Sequence, residues 1–122
     1  MARDLVEIVN ETRGTVVCER TELADNAWTR LRGLLGRSGL ARGDGMLIVP
    51  APSIHSAFMK FEFDAIFLDR NMQVVALAER IPPWRARKGR RAKSVLELAA
   101  GEIAIRGVQI GDQLAVKRGQ AG

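Results

Sequence analysis

The chain has 122 residues, 47% hydrophobic and 27% charged, with a formal charge of +5. A single domain of this length buries roughly two-thirds of its unfolded surface, so it needs neither metal nor disulfide to fold. The lone cysteine, Cys18, and lone histidine, His55, exclude an intrachain disulfide, a Cys-rich zinc site and a two-His metal centre within one chain.

Leu5–Val9 and Thr15–Arg20 are β-branched runs separated by a turn-like Asn10–Gly14, which predicts a first hairpin. Trp28, Leu31, Leu34 and Leu35 recur at helical spacing. They predict a helix over 25–35, with Asp25 as its cap, Gly36 as its stop and Gly33 weakening it. A glycine-containing loop over 36–44 leads to an apolar strand at 45–49, stopped by Pro50 and Pro52. Residues 63–69 and 73–78 predict a second hairpin turning at Arg70-Asn71, with Asn71 as the positive-φ residue. Both strands are apolar on both faces, which predicts that they sit centrally in the core. A further strand is expected at 94–98, a short helical turn or wide connection at 99–106, and a last strand over 108–116 around Gly111-Asp112. Lys117–Gly122 reads as a frayed tail. The expectation is a mainly β single domain over 1–118, a β-sandwich or partly closed β-barrel with one or two short helices. Residues 119–122 are expected to be disordered.

Charge is concentrated in one segment. Residues 80–93 hold seven of the 19 Lys and Arg residues and no acid, and the other 108 residues carry a net −2. Pro82-Pro83 stiffens the entry, and Trp84 sits beside Arg85, Arg87, Lys88, Arg90 and Arg91. Guanidinium forks, ammonium charge and a stacking ring together suit phosphate or another polyanion. Nucleic acid, a small anionic ligand and an anionic surface are the partner classes. The plainer reading is a solvated loop with Trp84 as a lid on the core.

Other candidates each have an ordinary alternative. His55, Asp64 and Glu97 form a possible acid–base set, and His55, Met59 and Asp64 a possible pocket. Otherwise His55 makes a structural hydrogen bond and Met59 fills core space. Asp64 then caps a turn, and Glu97 faces solvent on a half-buried strand. In an extended strand His55 and Met59 would share a face, and soft copper(I) accepts such ligands, but a third clear ligand is lacking. No metal and no cofactor are therefore expected. Cys18 beside Glu19 reads as a buried thiol, not a nucleophile. No phosphate-binding loop or nucleophile elbow is present. Met1–Glu7 lacks the apolar run of a secretion signal, so a cytoplasmic chain is expected unless an upstream segment was removed. No apolar stretch approaches the ~20 residues of a membrane helix.

The order of short motifs narrows the fold further. Leu31-Arg-Gly-Leu-Leu35, Asp44-Gly-Met-Leu-Ile48, His55-Ser-Ala-Phe-Met59 and Asp64-Ala-Ile-Phe-Leu-Asp69 are followed by Pro83-Trp-Arg85, Val95-Leu-Glu-Leu98, Gly101 and Gly111-Asp112. This order resembles the prokaryotic family catalogued as domain of unknown function 192 (DUF192). The resemblance implies a mainly β sandwich or barrel and supplies no activity. Many members of that family carry an N-terminal signal or lipid-attachment sequence, whereas this chain starts almost at its first strand. A common form of the central motif has Trp before the Met and Asn-Thr after the Lys, and Ala57–Glu62 departs from both. Three functional readings follow: a non-enzymatic binding domain acting through 80–93, a small hydrolase or carbohydrate-processing enzyme using Asp64 and Glu97, and a purely structural or oligomerising subunit.

Overall fold

A computed structural model describes residues 5–24, 40–49, 61–82 and 92–118, and the backbone of 53–55 and 86–88. The strands are β1 (Leu5–Asn10), β2 (Thr15–Ala24), β3 (Asp44–Ile48), β4 (Ser53–His55), β5 (Phe63–Leu68), β6 (Val74–Ile81), β7 (Ala86–Lys88), β8 (Ser94–Ala99) and β9 (Leu114–Arg118). A single helical turn, α1 (Glu102–Arg106), is bracketed by left-handed Gly101 and Gly107. Seven strands form one sheet in the order β6-β5-β8-β3-β2-β1-β9, and β4 and β7 form a separate pair. Neighbours are antiparallel except β2 and β3, which run parallel. The fold is mainly β, and the sheet is not closed into a barrel.

The core lies on both faces of this sheet. Ile66, Leu68, Leu96 and Leu98 share a buried cluster with Val6, Ile8 and Leu114. The alternating residues Phe63, Ala65 and Phe67 of β5 and Val95 of β8 join Met46, Ile48 and Ile81 in a second cluster. Successive side chains of a strand point to opposite faces, so a strand covered on both sides reads as a continuous apolar run. This is why β5 and β8 are buried at every position.

The two sheet edges touch at one end. Gln73 bridges Gln113, and the N–H groups of Val74 and Leu114 donate to the carbonyls of Asp112 and Met72, each at 2.9 Å. The first hairpin is tied to the same place. Asn10 accepts from the Thr12 and Arg13 N–H groups through Oδ1 and donates to Asp112 at 2.8 Å. Gly14, at φ +68°, closes that turn, a conformation that suits a residue without Cβ.

Both predicted hairpins are present, and four details differ. β5 is central in the core but β6 is only partly buried, because it is an edge strand: β5 is claimed on its other side by β8. The positive φ falls on Met72 (65°), not Asn71. The Asp69 carboxylate sets this, accepting from the N–H groups of Asn71 (2.8 Å) and Gln73 (3.0 Å). Residues 108–113 are turn and bridge, so the last strand begins at Leu114. It continues through Lys117 and Arg118, which pair with Glu7 and Val6 instead of fraying. The predicted helix at 25–35 lies outside the described residues, as do residues 119–122.

Candidate functional site: the basic crossover and its anchors

The strand order gives the basic segment a defined place. β6 and β8 both run antiparallel to β5, so they are parallel to each other. Ile81 ends β6 opposite Phe63, and Ser94 starts β8 opposite Leu68. Parallel strands cannot be joined by a tight turn and need a crossover of about a dozen residues. This crossover, residues 82–93, connects the two strands, from the Phe63 end of β5 to its Leu68 end. Ile81 and Ala92, at its two roots, both pack in the second cluster.

Both roots are held by β5. At the first, Asp64 Oδ1 accepts the Arg80 N–H at 2.8 Å. Arg80 stands at φ 51°, a left-handed conformation unusual for a residue with a side chain. At the second, the Lys93 N–H donates to the Leu68 carbonyl at 2.7 Å. Asp64 also accepts through Oδ2 from Gly101 N–H (3.1 Å) and Ile103 N–H (2.9 Å). One fully buried carboxylate thus joins the root of the crossover to the first turn of α1. Gly101 supplies no side-chain cap of its own.

Within the crossover, β7 pairs antiparallel with β4: Ser53 with Lys88, Ile54 with Arg87 and His55 with Ala86. The histidine segment and the basic segment are therefore adjacent strands of one ribbon. Trp84, Arg85, Arg90, Arg91 and Met59 lie outside the described residues.

The proposed acid pair does not form. Asp64 is opposite Leu98 and Glu97 is opposite Ala65, so the two carboxylates leave neighbouring strands on opposite faces. Asp64 takes the capping role, and its three N–H donors make it a structural acceptor instead of a pocket wall. Glu97 is fully buried, not solvent-facing. It lies on the face of Met46 and Ala65, which the second cluster covers.

Two buried acids carry networks that sequence reading did not single out. Glu102 binds Arg106 Nε at 2.8 Å and lies 3.3 Å from Arg42 Nε. Arg106 also holds Glu19 (2.8 Å) and the Val16 carbonyl (2.9 Å), fastening α1 to β2. Its hydrogen bond pulls the Glu19 carboxyl below its ordinary pKa. The i,i+4 spacing of Glu102 and Arg106 was the available signal. Burial pushes the Asp112 carboxyl up, but the hydrogen bonds from Arg13, Asn10 and the Gln109 N–H together outweigh it and leave it lowered. Cys18 is buried, with its Sγ 3.3 Å from the Gly43 carbonyl, and burial raises its pKa. Among the described residues, no three His, Cys, Asp or Glu side chains are grouped to hold a metal ion, and no helix is long and apolar enough to cross a membrane.

Comparisons with known proteins agree with this architecture. The model of the DUF192 family, described as "Uncharacterized ACR", matches residues 8–116. A UPF0127 protein of Thermococcus sibiricus is 35% identical over 114 residues, 88% of this chain and 72% of that one. A UPF0127 protein of Pyrococcus furiosus is 33% identical, covering 88% and 95%. Among solved structures, a proposed transcription regulator from Sinorhizobium meliloti superposes with a TM-score of 0.78 at 25% identity over 94% of both chains. A protein of unknown function from Novosphingobium aromaticivorans gives 0.73 at 24% identity, covering 91% and 83%, and shares the fold.

Proposed function

The chain belongs to the DUF192 family, and on that premise we propose that it is a non-enzymatic binding domain whose basic crossover engages an anionic partner. The observation that carries this reading is the concentration of charge. Seven basic residues and no acid fall within 80–93, while the remainder of the chain is net negative. Clustered like charge raises local counter-ion concentration far more than the same charge dispersed.

The buried acids support the same reading from the other side. Asp64 is committed to three backbone N–H groups, Glu102 to two arginines, and Asp112 to Asn10, Arg13 and Gln109. These carboxylates hold the fold together, and Asp64 and Glu97 lack the common cleft that acid–base hydrolysis requires. The S. meliloti neighbour, described as a proposed transcription regulator, is compatible with a polyanionic partner.

Heparin chromatography tests the proposal. Replacing Arg85, Arg87, Arg90 and Arg91 by Gln should abolish retention at moderate salt while leaving the thermal transition in place. Unchanged elution of that variant would overturn it.

A further inference from the structure

We infer that the outer edge of β9 is a second binding site, which takes an extended acidic segment of a partner protein as an added strand. This goes beyond the crossover reading and does not depend on it.

The direction of the main-chain groups is the starting observation. In a strand, the N–H and C=O of one residue point to one side and those of the next residue to the other. The Gln113 carbonyl accepts the Glu11 N–H at 2.7 Å, so Gln113 faces the β1 side. The Leu114 N–H donates to the Met72 carbonyl at 2.9 Å, so Leu114 faces away from it. β1 and β9 stay in regular register from the Asn10–Leu114 pair to the Val6–Arg118 pair. Alternation then turns Ala115 and Lys117 toward β1, and Val116 and Arg118 outward. Leu114 is satisfied on its outer side, where its carbonyl also accepts from Gln113 Nε2 at 3.1 Å. The contact between the two sheet edges, at Gln73 and Gln113, ends before Val116. β9 is the last strand of the sheet, and among the described residues none pairs with the outward groups of Val116 and Arg118.

The side chains give this edge its character. Val116, Lys117 and Arg118 are all exposed, Val116 to 38%. The ion pairs among the described residues engage Arg13, Arg20, Arg42, Arg80 and Arg106, and leave Lys117 and Arg118 out. An added strand would gain main-chain hydrogen bonds from Val116 and Arg118, apolar contact from Val116, and charge from Lys117 and Arg118.

Charge selects the occupant. Lysine on a sheet edge deters neutral strands, and a second copy of this edge would bring two cations against two. An acidic strand turns that barrier into attraction, because opposite charges stabilise a cross-strand pair and like charges destabilise it. Nucleic acid would meet the charge, but it has no alternating N–H and C=O groups to pair with the edge.

An NMR titration of the nitrogen-labelled full chain tests this with two probes, a short peptide of alternating valine and glutamate and its valine–lysine counterpart. The expected result is a set of shifts centred on the Val116 and Arg118 amides, with the glutamate peptide bound at least about tenfold tighter. Val116→Pro removes one outward donor and leaves the β1 ladder, which runs through Ala115 and Lys117. It should weaken binding about tenfold while the thermal transition is kept. Lys117→Glu/Arg118→Glu should reverse the preference toward the lysine peptide, and it tests the site even if the proline variant does not fold. Absence of binding, equal binding of the two peptides, or unchanged binding by a folded proline variant would each overturn the inference. An unaltered preference in the glutamate variant would overturn it as well. Shifts confined to residues 80–93 would also overturn it and leave the crossover reading standing.

Discussion

The Asp64 carboxylate accepts the N–H of Arg80 at 2.8 Å, and Arg80 is one of two described non-glycine residues at positive φ. A central β5 acid thereby fixes the strained residue from which the basic crossover leaves the sheet, and ties it to α1 through Gly101 and Ile103. Asp64→Ala would leave three N–H groups without their acceptor. Buried donors left unsatisfied cost about 1–3 kcal/mol each, so a loss of about 3 kcal/mol or more is expected in urea unfolding. Asp64→Asn retains one acceptor oxygen and should lose about half as much. A loss below about 1 kcal/mol for the Ala variant would contradict this role.

Gly45 is required by space. A Cβ there would lie 2.8 Å from Cys18 Sγ and 2.8 Å from the Glu97 carbonyl oxygen, both too close. Gly45→Ala should cost about 2 kcal/mol through overpacking. In a Cys18→Ala background the penalty should fall without vanishing, because the Glu97 oxygen belongs to the backbone. A double-mutant cycle with no coupling would show that Cys18 is not the obstacle.

Cys18 should be inert while the protein is folded. Burial removes access to the thiol and raises its pKa, so the thiolate is scarce. Ellman's reagent at mildly alkaline pH should find no thiol in the native protein and one after denaturation. Rapid native labelling would contradict the burial.

Acid sensitivity should trace to Asp112. Its folded-state pKa lies below its unfolded value of about 4, so its stabilisation is present above that pH and is lost as pH falls through the folded pKa. Asp112→Asn should therefore lower Tm near neutrality, and the difference from wild type should narrow below about pH 4. A gap that stays constant across the acid range would assign the effect to shape instead of charge.

The sequence made the local structure legible and left most of the assembly hidden. Alternation and turn chemistry marked both hairpins, because a β-branched run bounded by turn residues needs no distant partner to be recognised. The position of β6 at the edge was not legible, since it depends on β8 pairing with β5 from 26 or more residues away. The crossover was hidden for the same reason: a basic loop becomes a crossover only when its flanking strands are known to be parallel. Glu97 was misjudged because strand periodicity assigns a residue to a face and cannot say whether that face is covered. Asp64 was legible as a cap, although its partners, at positions 80, 101 and 103, were not. The Glu19–Arg106 and Asn10–Asp112 contacts join residues 87 and 102 apart, beyond any local pattern.

The most direct test of the central claim separates the location of charge from its amount. Arg87, Arg90 and Arg91 within the crossover, and the exposed Arg70, Lys117 and Arg118 outside it, are equal triplets of positive charge. Each triplet should be replaced by Gln and the salt concentration of elution from heparin measured. The expected result is loss of retention for the crossover triplet and near-native elution for the other. Equal losses would mean that the basic crossover has no privileged role and that only net charge governs binding.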